Sequence, residues 1–330
     1  MKTVIISIFL LFALHGAAQI DRDSGFIMLT VSDTSLASLD SIVILPAAQS
    51  PNRGRETLIA GVHITGYAGT MFLLGQAWYK DYPRTSFQVF NDSKEWLQLD
   101  KAGHVWTAYN IAKYSKGLWS WAGIPHSRAV WLGGISSIGY QTILEYLDAH
   151  SEEWGWSWAD MGSNFIGSAM YVSQELAWKE QRFQLKFSSH RVSYQPGLEQ
   201  RADDLYGATL SERILKDYNG QTYWLSVNLN SFNEKYTLPK WLNLAIGYGA
   251  TGVFGGFENI GYDKSGTLTF NRTDIARQRQ WYLSPDVDFT KIKTGRRGVK
   301  TLFSLLNMIK MPAPALELSG GKLKGYLLFF

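Results

Sequence analysis

The chain has 330 residues and is 45% hydrophobic, 14% aromatic and 18% charged, with a net charge of +4 and no Cys. That is too apolar for disorder and lower in charge than the ~25% of an ordinary soluble domain. A charge of +4 over this length points to no nucleic-acid partner, and the lack of Cys removes disulfides, thiolate metal sites and Cys nucleophiles.

Lys2, the apolar run Val4–Leu14 and the small residues Gly16 and Ala18 at the −3 and −1 positions have the layout of a signal peptide over residues 1–18. The run is about half the length needed to cross a bilayer. The expected mature chain begins near Gln19 and is exported. Residues 19–57, with Pro46 and Pro51, read as irregular.

A helical bundle domain is expected over 58–180. Leu58–Tyr79 holds 22 residues without Lys, Arg, Asp or Glu, enough to span a hydrocarbon core. Its small residues (Gly61, Gly66, Gly69, Gly75) suit the close helix packing found in membranes. Leu99–Tyr114 reads as an amphipathic helix. Ala129–Leu147 opens with 16 uncharged residues including Gly133, Gly134 and Gly139, and Asp160–Trp178 has Gly162, Gly167 and Ala169 for packing.

From Arg182 onward, residues 181–330 read as β-rich. Apolar and polar residues alternate at period 2 in Arg182–Ser188, Thr222–Asn230, Trp241–Tyr248 and Gln280–Phe289. Pro285 would place the last of these at an edge or bulge. A short helix is expected over Val299–Ile309, then a hairpin turning at Gly320-Gly321. Tyr326, Leu328 and Phe330 share one face of the last strand, which resembles the C-terminal strand of outer-membrane barrels. Five or six strands fall short of the eight in a minimal barrel, so outer-membrane association without a closed barrel is the expectation. The fold class is α+β: a small-residue-rich, membrane-type helical bundle followed by an antiparallel β-rich region.

The polar residues of the helical block are the informative ones. Asp100 and His104 are four apart beside Lys101, Glu145 and Asp148 are three apart, and Asp160 and Asn164 are four apart, so each pair shares a helix face. Asp160 near a helix N-terminus is favourably placed. In an antiparallel bundle the start of one helix, the end of the next and the start of the third meet at one end, where these pairs would converge. Three uses compete: a divalent metal held by Asp100, His104, Glu145 and Asp160; acid–base chemistry through His104; or a network that only neutralises buried charge. No other cofactor is indicated. Trp154, Trp156 and Trp158 suit a membrane interface or an aromatic lid. His63 reads as a core imidazole. The glycines of Gly247–Gly252 spell G-x-G-x-x-G inside a strand series, without the following helix a dinucleotide site requires.

Several motifs look familiar together: Phe87–Asp92, Glu95-Trp96, Asp100–His104, Glu145–Asp148, Glu153–Asp160, Asn164–Gly167, Lys216–Ser226, Pro239–Asn243 and Lys310–Ala315. They resemble the YfiM-like family of predicted periplasmic lipoproteins, a domain of unknown function. Asp100, Lys101, His104, Glu145, Asp160, Asn164 and Gly167 are also similar to the pattern of VanZ-like membrane proteins, which are associated with the cell surface and glycopeptide resistance. The chain departs from the first family in having no Cys for a lipobox, and from the second in its β-rich half. The resemblance implies an envelope component at the outer membrane, or at the inner membrane with a periplasmic β region. As a non-enzymatic component it would bind an envelope protein, a lipid headgroup or an ion. The alternative is a metal-assisted hydrolase or transferase acting on lipid or cell-wall material, and the sequence leaves the choice open.

Overall fold

The computed structural model describes residues 50–74, 84–152, 154–232, 238–263 and 265–330. The expected signal peptide, most of the irregular segment, residues 75–79 of the first expected helix and Glu153 lie outside the described residues.

Four long helices come first: α1 (Arg53–Leu74), α2 (Leu99–Trp121), α3 (His126–Asp148) and α4 (Trp158–Trp178). Helix α2 was expected to be amphipathic, but it is the hub. Its residues from Leu99 to Ala112 are almost all buried, Asp100, Lys101 and His104 among them. It is enclosed by α3, α4 and the β-region, which leaves no solvent face for the polar residues to mark. Glycines allow this proximity: a methyl added at Gly167 would come within 2.1 Å of the Val105 carbonyl oxygen, and one at Gly133 within 2.6 Å of the Ala112 oxygen. Ser137 Oγ donates to the Ala108 carbonyl at 2.8 Å and Ser168 Oγ to the Gly134 carbonyl at 3.1 Å, tying the backbones across these crossings. Gly162, also expected at a contact, faces open space, as does Gly139. No helix among the described residues is long and apolar enough to cross a membrane. The outer sides of α3 and α4 are nevertheless apolar, with Trp131, Ile135, Ile143, Phe165 and Ile166 exposed.

The remainder contains β1 (Phe183–Ser189), α5 (Pro196–Tyr206), α6 (Leu210–Lys216), β2 (Gln221–Val227), β3 (Leu242–Thr251), β4 (Ile260–Tyr262), β5 (Leu268–Asn271), β6 (Gln278–Val287), α7 (Arg297–Leu306), β7 (Ala313–Ser319) and β8 (Lys322–Phe329). Six strands form one antiparallel sheet in the order β1-β2-β3-β6-β7-β8, and β4 and β5 pair separately. The fold is therefore α+β, as expected. Pro285 lies in β6 beyond Leu283, the last residue paired with β7, where no ladder donor is needed on that side. Gly320 and Gly321 turn the final hairpin with φ of +54° and +74°, the primed geometry that closes a two-residue loop.

Directly paired residues point to the same side of a sheet, so the register assigns the faces. One face carries Phe187, Tyr223, Tyr248, Trp281, Leu318 and Leu323 in one row and Leu185, Leu225, Ile246, Leu283 and Leu316 in the next. At β1 and β2 it packs on α2, with the Phe187 and Trp106 rings 5.3 Å apart. Leu99, Trp106, Tyr140 and Leu144 share one core with Phe187, Tyr206, Tyr223 and Met308, so helices and sheet are joined through it. The opposite face carries Lys186, Trp224, Tyr282 and Glu317, and it is also buried because the sheet curls on itself. Phe329 of β8 lies 6.1 Å from the Trp224 ring of β2, and Phe187 bridges to Ile309 just ahead of β7. The last strand departs from the expected alternation. A register shift between Ala313 and Ala315 brings Phe329 inward with Tyr326, while Leu328 and Phe330 are exposed.

Candidate functional site

The N-terminal ends of α2 and α4 and the C-terminal end of α3 meet at one end of the bundle. The entry to α2 is unusual: Trp96, Leu97 and Gln98 all have positive φ, a left-handed turn that costs non-glycine residues about 1–3 kcal/mol each. Neighbours hold it. The Trp96 amide donates to the Gly256 carbonyl at 2.7 Å, Trp96 stacks on Tyr218 at 4.8 Å, and Arg279 donates to Gln98 Oε1 at 2.6 Å. Asp100 follows in the first turn of α2. Asp160 enters from α4, where Ser157 caps the helix by accepting the Asp160 amide at 3.0 Å.

Lys101 Nζ sits among three carboxylates, 2.6 Å from Asp100 Oδ2, 2.6 Å from Asp160 Oδ1 and 2.7 Å from Asp92 Oδ2. Burial opposes its charge, but Asp100 and Asp160 outweigh that and raise its pKa. Asp92, from the segment ahead of α2, also accepts from Ser157 Oγ at 2.5 Å. Neither Asp92 nor Ser157 stands out by helical spacing: both lie in loop segments, where no period marks a residue as facing the site.

His104 is 3% exposed, and burial lowers its pKa to about 4, so it is neutral at pH 7. Its Nδ1 lies 3.0 Å from Asn164 Oδ1, which also accepts from Gln141 Nε2 at 2.6 Å. With oxygen as the facing atom of Asn164, the His104 proton resides on Nδ1 and Nε2 presents a bare lone pair. That Nε2 has no hydrogen-bond partner and faces Asp160 Oδ1 at 3.5 Å and Asp100 Oδ1 at 3.9 Å, the second of which is also unpartnered. Among the described residues Asp100, His104 and Asp160 form the cluster whose ligand atoms all lie within 4.8 Å of one another.

Glu145 occupies the other side of the imidazole. Its Oε1 is 4.0 Å from His104 Nδ1, and its Oε2 accepts from the Ser157 amide at 3.4 Å. Burial, then the charge of Asp148, pushes its pKa up to about 8. Asp148 itself is half-buried at the end of α3 and reaches the site through that electrostatic effect on Glu145. Asp160 is pushed well above its ordinary value, by burial and then by Asp100, against the pull of Lys101. The other expected features lie apart. His63 donates from Nδ1 to the Ile59 carbonyl and accepts at Nε2 from Ser115 Oγ in the bundle core, Trp154 packs into the shared core, and Trp158 is exposed. Gly247 lies in β3, under the Trp224 ring.

Residues 89–174 match the model of a family described as a predicted periplasmic lipoprotein, DUF2279. The matched stretch runs from just before Asp92 through most of α4 and so includes every residue of the polar cluster, while the sheet lies outside it. The chain is thus similar, over helices α2, α3 and most of α4, to a predicted periplasmic family of unknown function. No curated protein and no solved structure matches the chain.

Proposed function

We propose that this chain is a non-enzymatic component of the cell envelope, associated with the outer membrane, that holds a divalent transition-metal ion between Asp100, His104 and Asp160. The observation that carries the reading is the meeting of three acceptor atoms: His104 Nε2 and Asp100 Oδ1, which have no hydrogen-bond donor, and Asp160 Oδ1, which accepts from Lys101. Lone pairs crowded in this way repel unless a proton or cation lies among them, and burial amplifies the repulsion. Burial raises the pKa of Asp160 well above its ordinary value, so a proton serves among these atoms when the site is empty; a divalent ion that displaces this proton leaves Asp92, Asp100 and Asp160 ionised against Lys101, and its two positive charges offset the remaining two negative ones. An imidazole with two carboxylates suits Zn2+, Fe2+ or Mn2+, and Asn164, accepting from Nδ1, orients the ring as a ligand histidine requires. Glu145, on the Nδ1 side, is assigned no ligand role.

The non-enzymatic part rests on enclosure. The side chains of the cluster are all 11% exposed or less, which leaves little room for a lipid or glycan substrate. The similarity of residues 89–174 to a family described as a predicted periplasmic lipoprotein supports the envelope location. One observation favours an enzyme: Glu145, titrating near pH 8 beside His104, has the profile of a general acid for a metal-assisted hydrolase. The test is metal analysis of the purified protein with calorimetric titration by Zn2+. One ion per chain is expected, lost in both Asp100→Asn and His104→Ala. Absence of stoichiometric metal under saturating Zn2+ would overturn the reading. Hydrolysis of lipid or cell-wall substrates that disappears in Glu145→Gln, with metal retained, would replace it by the enzymatic one.

A further inference from the structure

The curled sheet has its polarity reversed. A soluble sheet buries apolar side chains and presents polar ones to water. Here the enclosed face sets Lys186 and Asp286, both side chains 0% exposed and paired at 2.7 Å, and buried Ser226, Asn243, Ser284 and Glu317 beside an aromatic cluster of Trp224, Tyr282 and Phe329. The outward face of β3, β6, β7 and β8 presents Ile246, Trp281, Leu283, Leu316, Leu318 and Leu323, all more than 40% exposed. Polar-inside, apolar-outside alternation is the arrangement of a β-structure whose solvent is hydrocarbon. It is costly in water, where exposed patches this continuous mark an interaction surface.

We infer that this outward face lies in one leaflet of an anionic lipid bilayer. The inference deepens the membrane part of the reading above and is independent of the metal. Depth and charge both favour it. The apolar rows on β6 run from Trp281 through Leu283 to Pro285. Four residue steps at ~3.4 Å make a band about 14 Å tall. The hydrocarbon core is about 30 Å thick, so the band matches one leaflet and is too short to span both. Exposed Arg279 is the next residue beyond Trp281 on the same face of β6 at one margin, and exposed Lys240 precedes Trp241 at the other. A basic rim around an apolar centre complements anionic headgroups around acyl chains. The same face is continuous with the part of the sheet seated on α2, so the bundle backs the wall and holds it rigid.

The Cys-free chain allows a direct test. Single variants Leu318→Cys, Leu323→Cys and Ser211→Cys, the last on the exposed side of α6, are labelled with an environment-sensitive fluorophore. They are mixed with vesicles of phosphatidylethanolamine and phosphatidylglycerol. Labels at 318 and 323 should shift to the blue and be quenched by bromine on the acyl chains, while the label at 211 stays in water. Leu283→Glu combined with Leu318→Glu should cut vesicle partitioning at least about tenfold with the circular dichroism spectrum unchanged, since each carboxylate would have to leave water for the acyl region. Labels at 318 and 323 that stay aqueous on protein-bearing vesicles would overturn the wall and leave membrane association standing. Labels buried without lipid, in a concentration-dependent dimer, would overturn it in favour of a second copy of the chain.

Discussion

Asn164 sets the tautomer of His104. Its Oδ1 lies 3.0 Å from the imidazole Nδ1 and 2.6 Å from Gln141 Nε2, so both nitrogens donate to one oxygen and the opposite ring nitrogen is left with its lone pair. Removing this acceptor frees the ring to rotate or to change tautomer. Asn164→Ala should therefore weaken Zn2+ binding by about 10–100-fold without abolishing it, the usual cost of removing the hydrogen-bond partner of a ligating imidazole. Competition with a fluorescent chelator measures this. Gln141→Ala should have a smaller effect, because Asn164 can still accept from His104.

Glu95 gives the bundle end a pH dependence of defined sign. Burial, followed by the charges of Asp100 and Asp92, pushes its pKa from 4.5 up to about 7. Between those values the folded state binds more protons at this group than the unfolded chain does. Stability therefore falls as pH rises through the window, and the favourable contribution is complete only below the unfolded value. Glu95→Gln keeps the shape and cannot ionise. Thermal denaturation from pH 4 to pH 8 should show the variant gaining on the parent as pH increases through this range. A constant difference between the two would contradict the assignment.

Two glycines of α4 make an internal comparison. A methyl at Gly167 would be forced to 2.1 Å from the Val105 backbone oxygen, whereas Gly162 has nothing within 4 Å. Gly167→Ala should separate α2 from α4 and destabilise by about 3 kcal/mol or more, at the upper end of overpacking costs. Gly162→Ala should stabilise by about 0.5–1 kcal/mol through helix propensity alone. Denaturant titration of both variants distinguishes tight crossing from a general intolerance of alanine.

These residues also show what the sequence could convey. The spacings of Asp100 with His104 and Asp160 with Asn164 require only helical geometry, and antiparallel connection then brings the helix ends together. Asp92 and Ser157 arrive from loops, whose paths no periodicity describes, and Gly162 and Gly167 cannot be told apart until a partner helix is placed. Helix α2 was misread because Lys101 and Lys113 look like a solvent face, whereas Lys101 is consumed by three buried carboxylates. In the sheet, alternation at period 2 announces strands but does not say which face is inward. A register shift in the final hairpin was enough to exchange the roles of Phe329 and Phe330. The short helices α5 and α6 and the β4–β5 pair are too brief to leave a periodic signal.

The buried pair Lys186–Asp286 supplies the last prediction. Lys186 Nζ also donates to the Val287 carbonyl at 2.7 Å, and Asp286 Oδ2 accepts from Ser226 Oγ at 2.6 Å, so the pair ties β1, β2 and β6 across the inside of the curl. Lys186→Met leaves a carboxylate stranded with one hydroxyl, and Asp286→Leu leaves an ammonium with one carbonyl. Each should cost about 3–5 kcal/mol, the penalty of an unpaired buried charge. The double variant removes both charges and keeps most of the volume, so its loss should be well below the sum of the singles, a coupling of at least about 2 kcal/mol in a double-mutant cycle. Additive losses would mean that water reaches the inside of the curl and screens the two charges. The enclosed polar face on which the reversed polarity of the sheet depends would then not exist.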